Sequence, residues 1–178
     1  MQLNWYPGVQ KRRSPHYNER PSGCTPSLLV VHCISLPAGE YSGNYIDDLF
    51  MGTLDCQAHS SFDSLRGVRV SAHCLIRRDG TIVQYVPFDK RAWHAGVSEF
   101  AGQDNCNDFS IGVELEGTDT TSYTEIQYQA LAQLTLWLQQ QLPSLTEERI
   151  VGHSDIAPGR KYDPGVGFDW DKYFALIR

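Results

Sequence analysis

No apolar run in the 178 residues approaches the roughly 20 needed to cross a bilayer. The first residues, Met1-Gln-Leu-Asn-Trp-Tyr-Pro-Gly-Val9, lack the basic-then-apolar order of an export signal. Positive charge is not in excess either: 15 Lys and Arg stand against 21 Asp and Glu, and the net charge of −6 argues against nonspecific nucleic-acid binding. The cysteines (Cys24, Cys33, Cys56, Cys74 and Cys106) are odd in number and show no C-x-x-C spacing, which speaks against a disulfide framework or a structural zinc ribbon. Internal repeats, low-complexity tracts and the short metal motif H-E-x-x-H are also missing. The expectation is a cytoplasmic protein with reduced thiols, no membrane insertion and no nucleic-acid partner. Nothing calls for an obligate protein partner, so a monomer is expected.

A 41% apolar and 20% charged chain of this length fits one globular domain, residues 1–178, with a core large enough to fold unaided. Basic residues nonetheless cluster at Lys11-Arg12-Arg13, Arg66 with Arg69, Arg77-Arg78, Lys90-Arg91 and Arg160-Lys161. Such pairs are either solvated surface or a grip for a small anion. Residues 1–27, rich in Pro, Arg, Ser and Asn, read as an irregular arm. Leu28–Ile34 reads as a strand buried on both faces. After a loop at 35–43, Asn44 is placed to cap a short helix carrying Ile46, Leu49, Phe50 and Leu54, and 55–67 returns to loop. The whole segment 35–67 is a candidate lid or groove wall.

Val68–Arg77 and Ile82–Pro87 flank Asp79-Gly80 and predict a hairpin. Residues 88–109 look irregular, and Ser110–Glu116 alternates as a strand should. Ser122-Tyr-Thr-Glu125 fits a capping box opening a helix whose stripe is Ile126, Ala130, Leu134, Trp137 and Leu138, stopped by Pro143. A last helix begins near Asp169. The sum is an α/β (α+β) domain: a small mixed β-sheet flanked by helices.

His32 closes the first strand, and His153 and Asp163 bracket the loop Gly152–Gly165. Two imidazoles and a carboxylate from separate segments are what a catalytic zinc ion takes when its fourth position stays open to water. Taken alone, His32 reads more readily as a satisfied core histidine than as a ligand, and the loop reads equally as a polar turn. His73 or His94 would serve as a ligand instead, although His73, on a predicted strand, reads better as a packing residue or as a hydrogen-bond partner behind a ligand, and Trp93 with His94 would make a ligand wall. Glu114 and Glu116 share one strand face with Gly112, which leaves room for a ligand or side chain, and either glutamate would suit a general base or solvent. A Cys–His nucleophile at Cys33 or Cys74 is disfavoured, because neighbours on a strand point to opposite faces.

The segments Leu28–Pro37, Val70–Gly80, Lys90–Val97, Asn107–Asp119 and Gly152–Pro158 occur in order, and with them the chain resembles the AmpD-type 1,6-anhydro-N-acetylmuramyl-L-alanine amidases of bacterial cell-wall recycling. These belong with the zinc N-acetylmuramoyl-L-alanine amidases, whose fold is that of the peptidoglycan-recognition proteins. The resemblance implies Zn2+ on His32, His153 and Asp163, Glu114 rather than Glu116 as catalytic glutamate, and Lys161 as charge stabiliser. It further implies an anhydromuramyl-peptide substrate cut at the lactyl amide to L-Ala, Arg69 against the peptide carboxylates, and low β-lactamase induction in hosts with that circuit. Two positions depart from the pattern: Cys33 stands where Asn is common, and Gln103–Cys106 lacks an arginine that some members carry. Rival readings are a non-catalytic muropeptide-binding protein and an exported autolysin.

Overall fold

Two seven-residue apolar strands form the spine of the molecule. The computed structural model describes residues 3–178. In chain order its strands are β1 (Gln10–Lys11), β2 (Tyr17–Glu19), β3 (Leu28–Ile34), β4 (Cys74–Ile76), β5 (Ile82–Gln84), β6 (Lys90–Ala92), β7 (Glu99–Phe100), β8 (Gln103–Asp104), β9 (Ser110–Glu116) and β10 (Ile150–Gly152). The helices are α1 (Tyr45–Met51), α2 (Glu125–Gln141), α3 (His153–Ile156) and α4 (Trp170–Ile177). The main sheet runs β1-β5-β4-β9-β3-β10, and β4 with β5 is its one antiparallel pair. The mixed sheet flanked by helices matches the expected class. No helix among the described residues is long and apolar enough to cross a membrane.

Alternation along β3 sorts its side chains. Leu29 and Val31 join Ile111, Val113 and Leu115 of β9 under Leu131, Leu134 and Leu138 of α2 and Tyr173 of α4. Leu28 and Val30 face the other way, onto Cys106, Phe109 and Ile156. A third cluster joins α1 (Ile46, Leu49, Phe50) to Leu75, Val83 and Tyr85. Burial of each such side chain contributes about 1.5–3 kcal/mol. Leu134→Ala, which opens a void between α2 and the sheet, is expected to destabilise by about 2–5 kcal/mol in urea titrations followed by tryptophan fluorescence.

Several local expectations are corrected. The capping box of α2 uses Thr124 and Gln127, two residues beyond the Ser122–Glu125 pair. Gln127 accepts from the Thr124 amide and donates from Nε2 to the carbonyls of Ile76 and Glu116, a task glutamate cannot perform. Ile126 therefore turns outward, 48% exposed. Asn44 precedes α1 without a side-chain capping bond, and Leu54 lies beyond the end of that helix. The hairpin strands are shorter than expected, and Gly80 alone takes a positive φ (82°) in the turn. Segment 55–67 contains a 3-10 turn at Ser60–Leu65, and 88–109 contains β6, β7 and β8. The arm carries β1 and β2 and is tied along β5, with the amides of Arg12 and Ser14 donating to the carbonyls of Gln84 and Tyr85.

Candidate active site

Three adjacent parallel strands end on one edge of the sheet and carry side chains to it. In the β3–β9 register His32 lies opposite Glu114, so both project from the same face at the roughly 5 Å spacing of paired strands. In the β10–β3 register Gly152 lies opposite Val31, which places the next residue, His153, beside His32. Strand β10 ends where the expected loop begins, and the one-turn helix α3 stands inside that loop. Neither can be read by periodicity, because β10 has three residues and exists through its pairing with β3.

The chain after α3 returns to deliver Asp163. The Ser154 amide donates to the Asp163 carbonyl at 3.0 Å, closing the loop behind the carboxylate. Asp163 Oδ2 then lies 2.9 Å from His32 Nδ1 and 3.1 Å from His153 Nδ1, and the two Nδ1 atoms are 3.0 Å apart. These three groups, separated by up to 131 residues, could hold a metal ion.

The donor chemistry fits a cation. His153 Nε2–H donates to the Ala95 carbonyl at 3.1 Å, which leaves its Nδ1 with only a lone pair. His153 Nδ1 and Asp163 Oδ2 are then two acceptors in contact inside a mostly buried site, an arrangement that a cation between them would stabilise. His32 Nδ1 lies within reach of the same point, so it would complete a three-donor set for a metal ion. Burial lowers the His32 pKa to about 4, so a neutral ring with a free lone pair is its ordinary state near pH 7.

The two glutamates of β9 part company. Glu116 is 1% exposed and fully engaged: it accepts from the amides of Ser42 (2.8 Å) and Arg78 (3.0 Å) and pairs with Arg77 (3.4 Å). Glu114 instead faces a cavity of about 280 Å³ lined with His32, His153, Lys161 and Asp163. Its Oε2 is buried with no hydrogen-bond partner among the described residues. Burial, and then the charge of Asp163, push its pKa well up, with Lys161 pulling the other way.

Leu36, Leu49, Phe50 and Leu65 supply an apolar side of the same cavity, so segment 35–67 forms part of its wall. Trp93 lines it too, stacked on His16 and donating from Nε1 to Asn18 Oδ1. Arg69 lies in an adjoining cavity of about 160 Å³ that shares Leu49 and Leu65 with the first. His94 lines the main cavity, but both of its ring nitrogens are engaged, by His32 and by Ser110.

His73 lies apart from the three-donor cluster. Its Nδ1 accepts from the Gly112 amide at 3.0 Å and its Nε2 donates to the Lys90 carbonyl at 3.1 Å, while burial lowers its pKa to about 3. The Cys33 side chain packs with the α2-side cluster and hydrogen-bonds Tyr123, and burial pushes the thiol up to about 12, which leaves no thiolate near neutral pH. Cys74 is fully buried and likewise raised.

Sequence reasoning missed Ser110, Asn107 and Arg20. Asn107 Oδ1 accepts from the amides of His94 (3.1 Å) and Ala95 (2.8 Å). Arg20, buried, donates to the carbonyls of Phe88, Asn107, Asp108 and Ser110. Neither role has a local sequence signal, since each depends on which distant carbonyl or amide comes near.

Residues 22–166 match the N-acetylmuramoyl-L-alanine amidase family. The chain is 58% identical over 177 residues to the 1,6-anhydro-N-acetylmuramyl-L-alanine amidase AmpD of Escherichia coli (strain K12), covering 99% of this chain and 96% of that one. Among solved structures, the crystal structure of a selenomethionine AmpD derivative superposes with a TM-score of 0.97 at 56% identity, covering 100% of this chain and 99% of the other. AmpDh3 from Pseudomonas aeruginosa, solved in complex with anhydromuramic pentapeptide, gives a TM-score of 0.64 at 31% identity and covers 99% of this chain and 66% of that one.

Proposed function

The chain belongs to the N-acetylmuramoyl-L-alanine amidase family, and from that premise we propose how its residues divide the work of a peptidoglycan-recycling amidase. The bond cut is the amide between the lactyl group of a 1,6-anhydro-N-acetylmuramyl sugar and L-Ala of the stem peptide. His32, His153 and Asp163 hold a zinc ion. When bound, zinc supplies a Lewis acid that polarises the amide carbonyl and acidifies water.

Glu114 takes a proton from the attacking water as its oxygen bonds to the carbonyl carbon. It returns that proton to the L-Ala nitrogen as the C–N bond breaks. A carboxyl whose pKa is raised by burial is suited to holding the proton between those two steps. The ammonium of Lys161 faces the developing oxyanion, where a fixed cation supplies on the order of a few kcal/mol. Trp93 walls the substrate, and Arg69 meets the carboxylates of the stem peptide across the Leu49–Leu65 ridge, for which a forked cation is apt. The protein works as a cytoplasmic monomer on soluble fragments.

The observation that supports this reading most is the pair of facing acceptors, His153 Nδ1 and Asp163 Oδ2, with Glu114 on the neighbouring strand position to His32. Purified protein given anhydromuramyl-tripeptide is expected to release free tripeptide. Treatment with a chelator should stop the release and added zinc should restore it. Absence of turnover with zinc bound would leave a muropeptide-binding protein instead, and faster turnover on intact sacculi than on soluble fragments would favour an autolysin.

A further inference from the structure

We infer that His94 is a positioning residue for the metal site: its Nδ1 accepts the Nε2 proton of His32 and so keeps the Nδ1 lone pair of His32 directed at His153 and Asp163. The inference rests on the zinc reading above and deepens it. The two histidine ligands are held in different ways. His153 donates to a main-chain carbonyl, which can only accept, so its tautomer is settled by that bond. His32 meets another imidazole, with Nε2 of His32 2.9 Å from Nδ1 of His94, and this contact runs in either direction.

Only one direction suits a metal. With the proton on His32 Nε2, the chain reads His32 to His94 to Ser110, and His94 Nε2–H donates to Ser110 Oγ at 3.2 Å. With the order reversed, His32 carries its hydrogen on Nδ1 and spends it on Asp163, 2.9 Å away, and the coordinating lone pair is lost.

The surroundings are built for this ring. The planes of His32 and His94 cross at 84° with centroids 5.0 Å apart, an edge-on approach that brings nitrogen to nitrogen. Ser110, Gly112 and Glu114 fall on one face of β9 by the two-residue period of a strand. Ser110 accepts from His94, and Gly112 makes the floor beneath it: a Cβ there would lie within 2.7 Å of three ring atoms. The backbone on either side is pinned by Asn107, which Arg20 holds in turn. Three successive same-face positions thus serve the ligand's neighbour twice and the general base once.

Four proteins test the proposal: wild type, His94→Phe, His94→Asn and Ser110→Ala, each checked for folding by circular dichroism. Zinc affinity is measured by competition with a chromophoric chelator, and site geometry by the visible spectrum of the cobalt-loaded protein. His94→Phe, which fills the space without an acceptor, is expected to weaken zinc by ~10–100-fold, as loss of an outer hydrogen-bond partner does. His94→Asn, whose Oδ1 falls near the position of the lost Nδ1, should recover most of that affinity; Ser110→Ala should cost less than His94→Phe. Nitrogen-15 spectra of the zinc-loaded wild type should place one proton on His32 Nε2 and one on His94 Nε2, a readout that needs no variant. Wild type and His94→Phe binding zinc equally well with unchanged cobalt spectra, or a proton on His94 Nδ1, would overturn the inference while leaving the zinc reading intact. Failure of the wild type to take up zinc at all would remove both.

Discussion

Glu114→Gln is expected to lower turnover of anhydromuramyl-tripeptide by about 10²–10⁴-fold, the range for loss of a general acid–base group, while zinc content stays at one per chain. Glutamine keeps the shape and the hydrogen-bonding reach of the side chain but can neither take the water proton nor return it. The sign of the accompanying stability change separates this residue from an ordinary buried acid. The folded-state pKa of Glu114 lies well above its usual value, through burial first and Asp163 second. Such a group is without penalty below the ordinary carboxyl pKa, and stability is lost as pH rises from there through the folded value. At pH 7 the zinc-free Glu114→Gln protein should therefore melt at or above the temperature of the zinc-free wild type. Glu116 makes the contrast: the amides of Ser42 and Arg78 would lose their acceptor and Arg77 would keep only Asp47 as carboxylate partner, so Glu116→Ala is expected to cost stability instead. A Glu114→Gln enzyme with near-normal turnover and bound zinc would transfer the general-base role elsewhere.

The second large effect is expected at Asp163→Asn. Replacing a charged donor by a neutral amide should reduce zinc affinity by more than the ~10–100-fold that an outer partner is worth, and activity should fall to background. Melting curves carry the more specific signature. Zinc at 1,000 times its Kd stabilises a folded protein by about 4 kcal/mol, and that increment should vanish in the variant. Without zinc the order should reverse. The asparagine amide can donate to His153 Nδ1, where the wild type sets two acceptors 3.1 Å apart, so the zinc-free variant should be the more stable of the two. Equal zinc-induced shifts in both proteins would show that Asp163 is no ligand.

How much of this was legible beforehand depended on how local each cause was. Strands β3 and β9 were readable to the residue, because continuous burial and strict alternation are written in adjacent side chains. The start of α2 was misread by two residues, since the choice between Ser122 and Thr124 is made by the bonds of Gln127 to Ile76 and Glu116, far along the chain. Ser60–Leu65, rich in Ser, carried no hydrophobic period to betray its turn. At the site, residue types alone left His73 and His94 open as alternatives to His32. What separates them is position: His73 has Gly112 and Lys90 as partners, whereas His32 has His153, brought across 121 residues by the pairing of β10. Glu114 and Glu116 could not be told apart by pattern because they share a face; Arg77 and the two amides make the difference.

His32 meets Glu114 and His153 only when both neighbouring strands sit at one particular offset along β3. A slip of a single residue in either would still bury apolar side chains against helices, yet would scatter the three groups and turn alternate ones to the opposite side. On the proposed metal reading, uptake of the ion would report on assembly, because a chain docked one residue out of register would lack the three-donor cluster.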